Sequence, residues 1–327
     1  IKSKWLVLCL AVVSLQVKAQ TFSSAHHLEI ESALGKFSEL AALESASWSF
    51  AIANTDEDAT IIGRNVKTSL VPASILKTVT TAAALDILGQ EFRFETKLQY
   101  DGEIDESGNL KGSIYITGGG DPALASSRFP GNSLDDILDK WVEAIRKAGI
   151  TAINEDIIGD ATIFETSTTN PGWLWEDIGN YYGAGANGLT IHDNQYKMVF
   201  SSTAGEGRPA RFLRVEPHFE ETKVMNEVTC GPASSGDQAY IFAAPYDETV
   251  FVRGTIPAGH EEFKIKGSLQ DPAHFAASQL YQKLEKAGIT IKGDAQSMIR
   301  AGDWREQRKM RHTLLTLQSP TLSEIVK

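Results

Sequence analysis

The segment PASILK occupies residues 72–77 and opens a stretch of mainly apolar residues that continues to Leu88. This pattern predicts a helix from about Ser74 to Leu88, with Gly89 as the residue that ends it. Residues three apart in a helix lie on one face, so the Oγ of Ser74 and the Nζ of Lys77 come within hydrogen-bonding distance. The segment therefore predicts both the start of a helix and a paired serine and lysine.

This pair has a known type of chemistry. A serine hydroxyl becomes an effective nucleophile when a neighbouring base accepts its proton. A lysine can accept that proton only when burial or nearby positive charge lowers its pKa and leaves the amine neutral. Three apolar neighbours, Ile75, Leu76 and Val79, are expected to provide the burial. The spacing S-x-x-K also occurs on ordinary exposed helices, so a catalytic interpretation depends on the rest of the chain.

Outward from this segment the sequence alternates between helix and strand patterns, which predicts a mixed α and β fold. Two later helices begin at the capping residues Ser133 and Asp271. Both end in the same five residues, KAGIT, at 147–151 and 286–290. Each time, glycine is expected to end the helix and β-branched residues to begin a strand. Residues 203–265 carry short strand-like runs and are interpreted as a small β-rich insert.

Composition limits the functions open to the chain. Its 327 residues are 42% hydrophobic and 22% charged, an ordinary globular composition with room for two or three domains. The net charge of −11, without a basic run, disfavours binding to nucleic acid. The seven histidines are scattered and form no zinc motif, so neither a metal nor a cofactor is expected. The glycine run at 118–122 lacks the lysine of a phosphate-binding loop and is interpreted as a tight turn.

Residues 1–19 have the pattern of a signal peptide. Two lysines precede a short apolar run, and small residues precede a cleavage site before Gln20. The run is too short for a stable membrane span, so secretion is expected; a buried N-terminal helix is the alternative. Cleavage would remove Cys9 and leave Cys230 as the one cysteine, which cannot form an internal disulfide. Cys230 is expected to be a buried apolar residue.

Three further segments, together with PASILK, carry a resemblance to a known family. They are ITGGGDPAL (116–124), PGWLWEDIGNYYGAGANGLTIHDN (171–194) and LQSPTLSEIVK (317–327). These segments resemble the low-molecular-weight class C penicillin-binding proteins, which are periplasmic serine D-alanyl-D-alanine carboxypeptidases and endopeptidases. The similarity covers essentially the whole chain after the signal peptide, and the segment at 171–194 is its most specific part.

The resemblance implies an α+β fold. It consists of a penicillin-binding, transpeptidase-like (β-lactamase-like) domain, incomplete in this chain, with two inserted domains, one α/β and one β-rich. The expected boundaries are a signal peptide at 1–19, a partial catalytic domain at 20–95 plus 311–327, and an inserted domain at 96–202 plus 266–310. A small β-rich domain at 203–265 is expected to interrupt that inserted domain.

The resemblance also implies roles for individual residues. Ser74 matches the acylated nucleophile and Lys77 its general base, while the aspartate of IIGDATIF, Asp160, lies where the family binds the diamino-acid side chain of its substrate. The substrates implied are peptidoglycan stem peptides, and β-lactams are implied as covalent inhibitors. For Asp160 a role as a turn residue after a strand is an equal alternative.

Two motifs of the family are missing from their expected places. The letters SGN at 107–109 fit S-x-N, but turn residues in a hairpin loop explain them. The K-[ST]-G motif is absent, and KGS at 266–268 has the wrong order. The chain also begins with Ile1, so both ends look cut, and the chain as written is expected to be slow or inactive.

Several residues fit two interpretations. Trp173, Trp175, Tyr181 and Tyr182 could form a platform on which sugars stack, but packing in a core between domains is favoured. His192 could be a general base, but a serine–lysine site needs none, and a structural role is favoured.

Three other functions remain open beside a penicillin-sensitive carboxypeptidase/endopeptidase. A truncated, non-catalytic protein would bind peptidoglycan with Ser74 dispensable. A serine–lysine β-lactamase or esterase would hydrolyse its substrate quickly instead of being trapped by penicillin. A general structural role would require no affinity for peptidoglycan fragments.

Overall fold

A computed structural model describes residues 24–54, 59–219, 222–302 and 310–327. The predicted signal peptide at 1–19 and its cleavage site lie outside the described residues. Among the helices of the described part, none combines the length and apolar character needed to cross a membrane. The chain divides into two compact units, the first ending at Thr80 and the second beginning at Thr81.

The first unit contains a helix, a hairpin and the start of a second helix. Its elements are α1 (Ser24–Ser38), β1 (Phe50–Asn54), β2 (Ala59–Arg64) and α2 (Leu76–Leu88), which continues into the second unit. β1 and β2 pair antiparallel, with Phe50 opposite Arg64. Arg64 forms an ion pair with Glu31 of α1, and the rings of Phe37 and Trp48 meet edge to face at 5.3 Å. The helix predicted from about Ser74 to Leu88 is confirmed.

The second unit is built from short helices and many strands. Its helices are α3 (Leu134–Lys147), α4 (Trp175–Ile178), α5 (Pro272–Lys286) and α6 (Leu322–Ile325). Its first strands are β3 (Glu95–Tyr100), β4 (Glu103–Ile104), β5 (Asn109–Lys111), β6 (Ile114–Thr117), β7 (Ala152–Ile153), β8 (Ile157–Asp160) and β9 (Gln195–Ser201). The remainder are β10 (Arg211–Glu216), β11 (Lys223–Gly231), β12 (Gln238–Phe242), β13 (Thr249–Pro257), β14 (Phe263–Ser268), β15 (Thr290–Ile291), β16 (Ala295–Ser297) and β17 (His312–Gln318).

A five-stranded sheet forms the centre of this unit, in the order β16-β8-β6-β3-β17. β6, β8 and β16 run parallel, while β3 runs antiparallel to β6 and to β17. The two longer helices α3 and α5 supply apolar side chains to the same core as the sheet. Leu98, Ile116, Ile157, Trp141 and Leu280 are fully buried there. Burial of these large side chains is the main force that holds the unit together.

The two KAGIT segments lie side by side in a second sheet, ordered β15-β7-β5-β4. Gly149 and Gly288 have φ of +80° and +82°, which ends α3 and α5 as predicted. The strands that follow, β7 and β15, pair parallel, with Thr290 opposite Ala152. The repeated sequence therefore makes two equivalent helix-to-strand units that contact each other.

Two three-stranded sheets, β10-β9-β14 and β11-β13-β12, contain the β-rich insert. Cys230 on β11 is buried and its thiol donates to the carbonyl of Ser202 at 3.6 Å, while burial raises the pKa of the thiol. Its prediction as a buried apolar residue is confirmed.

The domain boundaries stay a prediction, but strand pairing crosses them at two places. β14 extends past 265 and pairs with β9, which precedes 203. β17 lies within 311–327, which the sequence assigned to the catalytic domain, yet it pairs with β3 in the central sheet. Boundaries placed along the sequence carry no information about which distant strands share hydrogen bonds.

Candidate active site

Ser74 and Lys77 lie close together at the start of α2. Ser74 belongs to a 3-10 turn, Ala73–Ile75, which leads into the helix. The Nζ of Lys77 donates to the Oγ of Ser74 at 3.0 Å, the contact that their spacing predicts. Ala73 has φ of +44°, a conformation that is costly for a residue with a Cβ and that occurs disproportionately at functional sites.

The apolar neighbours of the pair are exposed. Ile75, Leu76 and Val79 are 74%, 54% and 64% exposed. The expectation that they bury the lysine is therefore wrong for this structure. The sequence shows which side chains of a helix are apolar, but their burial depends on whether another element covers that face.

Asp160 ends β8 and is buried within a network of charged and polar groups. Its Oδ2 accepts from Arg311 at 2.5 Å, and its Oδ1 accepts from the backbone N–H of Thr162 at 3.0 Å and from its hydroxyl at 2.6 Å. The Arg311 guanidinium also lies over the ring of Tyr115, 3.9 Å from its centroid, and donates to Thr117 at 3.1 Å. Both carboxylate oxygens are thus engaged within the chain, and a role in substrate binding stays a prediction.

The letters SGN at 107–109 form the hairpin loop between β4 and β5. Asp105 accepts from the backbone N–H groups of Ser107 and Asn109 at 2.9 and 3.0 Å, and Gly108 has φ of +81°. These hydrogen bonds, chiefly the one from Asn109, lower the pKa of Asp105. The interpretation of this segment as turn residues is confirmed.

Burial shifts the pKa of two other titratable groups, Asp121 and His192. Asp121, in the glycine run, accepts from the backbone N–H of Ala123 at 2.8 Å, and burial raises the pKa of its carboxyl to about 6. Burial lowers the pKa of His192, which begins a left-handed turn with Asp193 and Asn194 at φ of 53°, 55° and 52°. Within the described ranges, no group of three or more histidine, cysteine, aspartate or glutamate side chains could hold a metal ion.

The four aromatic residues of the segment at 171–194 are exposed. Trp173, Trp175, Tyr181 and Tyr182 are 44%, 53%, 46% and 56% exposed. Their expected packing in a core is therefore wrong. α4 is a single turn of four residues, Trp175–Ile178, and the large rings on and around it remain at the surface.

Sequence reasoning also missed Arg311. It lies 151 residues from Asp160 along the chain. Arg311 directly precedes β17, and β17 pairs with β3 in the sheet that also contains β8. The two residues therefore meet only through the fold, and no local pattern in the sequence links them.

Comparison with known proteins finds relatives that are named D-alanyl-D-alanine carboxypeptidase. It is 27% identical over 311 residues to the D-alanyl-D-alanine carboxypeptidase of Actinomadura sp. (strain R39), covering 93% of this chain and 55% of that protein. It is 24% identical over 251 residues to the D-alanyl-D-alanine carboxypeptidase DacB of Haemophilus influenzae, covering 76% of this chain and 50% of that protein. The chain thus spans about half the length of these curated relatives.

A solved structure confirms the fold. The crystal structure of penicillin binding protein 4 (dacB) from Haemophilus influenzae has a TM-score of 0.66 and 22% sequence identity, over 83% of this chain and 56% of that chain. The expected α+β, penicillin-binding-protein-like fold is confirmed by this similarity.

A family model settles the relationship that the four sequence segments indicated. The match begins at residue 30 and continues to the last residue, so it includes the serine–lysine pair, the central sheet and the aromatic segment. With residues 30–327 matched, the chain belongs to the D-Ala-D-Ala carboxypeptidase 3 (S13) family.

Proposed function

We propose that this protein is a penicillin-sensitive serine D-alanyl-D-alanine carboxypeptidase/endopeptidase that acts on the stem peptides of peptidoglycan. The observation that carries the proposal is the hydrogen bond of 3.0 Å between Lys77 and Ser74, in a chain of this peptidase family. The activity named for the relatives supports the choice of substrate.

The proposed reaction is acyl transfer in two steps. In the first, the neutral amine of Lys77 accepts the proton of Ser74 as Oγ attacks the carbonyl carbon of the penultimate D-alanine. The C–N bond breaks, and the terminal D-alanine, or a cross-linked partner, leaves with that proton on its nitrogen. In the second step a water gives a proton to Lys77 and attacks the ester carbonyl carbon, the C–Oγ bond breaks, and Lys77 returns the proton to the Oγ of Ser74. Backbone N–H groups at the start of α2 are the nearest candidates to stabilise the oxyanion.

The direction of the observed hydrogen bond defines what catalysis requires. A charged lysine donates to the serine oxygen and cannot accept its proton. The reactive form is therefore the one in which the amine of Lys77 is neutral.

The direct test is covalent labelling of the full-length protein with a fluorescent penicillin, followed by mass analysis of the labelled peptide. We expect the label on Ser74 and its loss in Ser74→Ala. Lys77→Gln should slow acylation about 10²- to 10⁴-fold, as expected when a general base is removed. Ser107→Ala is the matched control, because Ser107 lies in a hairpin loop and should not affect labelling.

The same experiment separates the alternatives. A long-lived adduct supports a penicillin-sensitive peptidase, whereas rapid release of hydrolysed penicillin would indicate a β-lactamase. A protein that binds peptidoglycan but forms no adduct would be a non-catalytic wall-binding protein. Labelling that persists in Ser74→Ala would show that the nucleophile lies elsewhere.

We also propose that the protein acts in the periplasm after removal of residues 1–19. The support is the pattern of a basic, an apolar and a small-residue segment at the N-terminus. N-terminal sequencing of the protein from its native source should give Gln20 as the first residue. Retention of residues 1–19 in the mature protein would contradict this location.

A further inference from the structure

A groove lies in the second unit between the edges of two sheets. β12 is the last strand of the sheet β11-β13-β12, and β14 is the last strand of the sheet β10-β9-β14. Residues of both strands line the groove, which has a volume of about 380 Å³ and is bounded at one end by the 3-10 turn Tyr181–Gly183.

Asn180 holds the two walls of the groove in place. Its side chain accepts from the backbone N–H of Ile241 on β12 at 3.1 Å and donates to the carbonyl of Glu176 at 2.5 Å. Its backbone forms a bridge with Gly267 on β14. A Cβ at Gly179 would lie 2.0 Å from the carbonyl oxygen of Ile241, so the backbone here is in direct contact with β12. The groove is therefore preformed, which reduces the entropy lost when a ligand binds.

Three tyrosine rings are presented in this groove. Tyr181, Tyr182 and Tyr240 are 46%, 56% and 41% exposed, although large aromatic side chains are usually well buried. Tyr181 and Tyr182 meet edge to face at 5.3 Å, and the phenol of Tyr182 also forms a hydrogen bond with Asp177. Fixed rings with an apolar face and a polar hydroxyl are typical of binding surfaces.

Charge in the groove favours an acidic group on the ligand. Lys264 pairs with Glu216 at 2.8 Å, whereas Lys266 lies over the ring of Tyr181, 5.3 Å from its centroid. In the part of the chain that the structure describes, Lys266 has no carboxylate partner. Asp237 also lines the groove, and burial raises the pKa of its carboxyl. An available ammonium is notable in a chain with a net charge of −11, which otherwise repels anions.

These features fit an amino-sugar chain that carries acidic peptides. The C–H face of a pyranose ring can pack on an aromatic ring, while its hydroxyl and amide groups can bond to the phenol oxygens. A carboxylate on an attached peptide can pair with a lysine. Both kinds of group occur together in peptidoglycan, which is the polymer that the proposed function acts on.

We propose that this tyrosine groove, defined by Tyr181, Tyr182, Tyr240 and Lys266, binds the sugar chain of peptidoglycan, with Lys266 pairing with a carboxylate of a stem peptide. The inference rests on the proposed function for the choice of polymer. It assigns a binding site for the glycan in addition to the serine–lysine pair, which acts on the peptide.

Calorimetric titration with a tetramer of β-1,4-linked N-acetylglucosamine tests the sugar contacts. We expect saturable binding to the parent protein and a loss of about tenfold in affinity, equivalent to 1.4 kcal/mol, in Tyr182→Ala/Tyr240→Ala. Tyr240→Phe, which keeps the ring, should retain most of the affinity. Tyr281→Ala is the matched control, since Tyr281 lies on α5 outside the groove. Thermal unfolding of each variant shows whether it is folded.

A second titration tests the role of Lys266. Lys266→Gln should weaken binding of a soluble muropeptide with free carboxylates and leave binding of the neutral tetramer unchanged. The proposal is overturned if the parent does not bind the tetramer, if the double variant binds it as well as the parent, or if a sugar-free stem peptide binds equally well.

Failure of this proposal can be told apart from failure of the proposed function. Ser74→Ala should bind the tetramer like the parent protein, because the groove does not include Ser74. The double tyrosine variant should still be labelled by penicillin. A parent protein that binds the tetramer but is not labelled by penicillin would count against acylation at Ser74 and still support the groove.

Discussion

Replacing Asp160 with asparagine separates a structural role of this carboxylate from a role in substrate binding. Asparagine has nearly the same volume, and its Oδ1 can still accept from the backbone N–H and hydroxyl of Thr162. The change removes the negative charge that faces Arg311. We therefore expect the protein to lose stability through this one ion pair.

The burial of the pair determines the size of the effect. The side chains of Arg311 and Asp160 are 15% and 6% exposed, so the small energies of surface ion pairs do not apply. Removing one partner of a buried pair costs about 3–5 kcal/mol. Arg311 keeps its place over the Tyr115 ring and its hydrogen bond to Thr117. The cation–π contact with Tyr115 offsets about 1 kcal/mol of the cost of leaving the arginine unpaired. The expected loss in the free energy of unfolding is therefore about 2–4 kcal/mol.

Urea unfolding followed by circular dichroism measures this loss. An unchanged m-value would show that the parent protein and the variant expose similar surface on unfolding, so that their free energies can be compared. Arg311→Met should restore stability in the Asp160→Asn background, since it removes the unpaired charge. The double-mutant cycle should thus give a coupling energy above about 1 kcal/mol. Additive effects, or a loss below about 0.5 kcal/mol in Asp160→Asn, would refute the structural role. Unchanged stability with weaker affinity for stem peptides that carry a diamino acid would establish the substrate-binding role.

Three further predictions follow from the second unit. Burial raises the pKa of Asp121 to about 6, so its contribution to stability is present below about pH 4 and is lost as the pH rises through about 6. Asp121→Asn should remove this dependence and stabilise the protein at pH 7 by up to about 3 kcal/mol, measured by urea unfolding across that range. Ser133→Ala removes the capping box with Asp136 and should cost about 1 kcal/mol in the same assay. Gly179→Ala places a Cβ 2.0 Å from the Ile241 carbonyl oxygen and should cost about 1–3 kcal/mol, visible as a lower Tm.

Local chemistry made the helix boundaries predictable. Ser133 accepts from the N–H of Asp136, and Asp271 accepts from the N–H of His274, so each caps the helix that it was predicted to begin. These contacts span three residues and need no other part of the chain. The same holds for the glycines of the KAGIT segments, since a positive φ after the last turn is a local requirement.

Contacts between distant residues were not predictable in this way. The ion pair of Asp160 with Arg311 depends on β17 returning to the sheet that contains β8, and no spacing in the sequence encodes that return. The pairing of Ser74 with Lys77 lies at the other extreme, because one turn of helix brings the two together. The serine–lysine pair was therefore accessible to sequence reasoning, while the ion pair of Asp160 with Arg311 was not.

Exposure of the aromatic segment shows what hydrophobic pattern alone leaves undetermined. Aromatic side chains pack in cores and also form binding surfaces. Because both uses require the same residue types, the sequence alone does not distinguish them. What distinguishes them here is Asn180, whose side chain satisfies the backbone of β12 while Tyr181 and Tyr182 next to it project at the surface. A buried amide that fixes the backbone allows large rings to stay exposed without loss of order. The cost of exposing such rings is offset when a ligand covers them, which favours a binding role for this segment over a purely structural one.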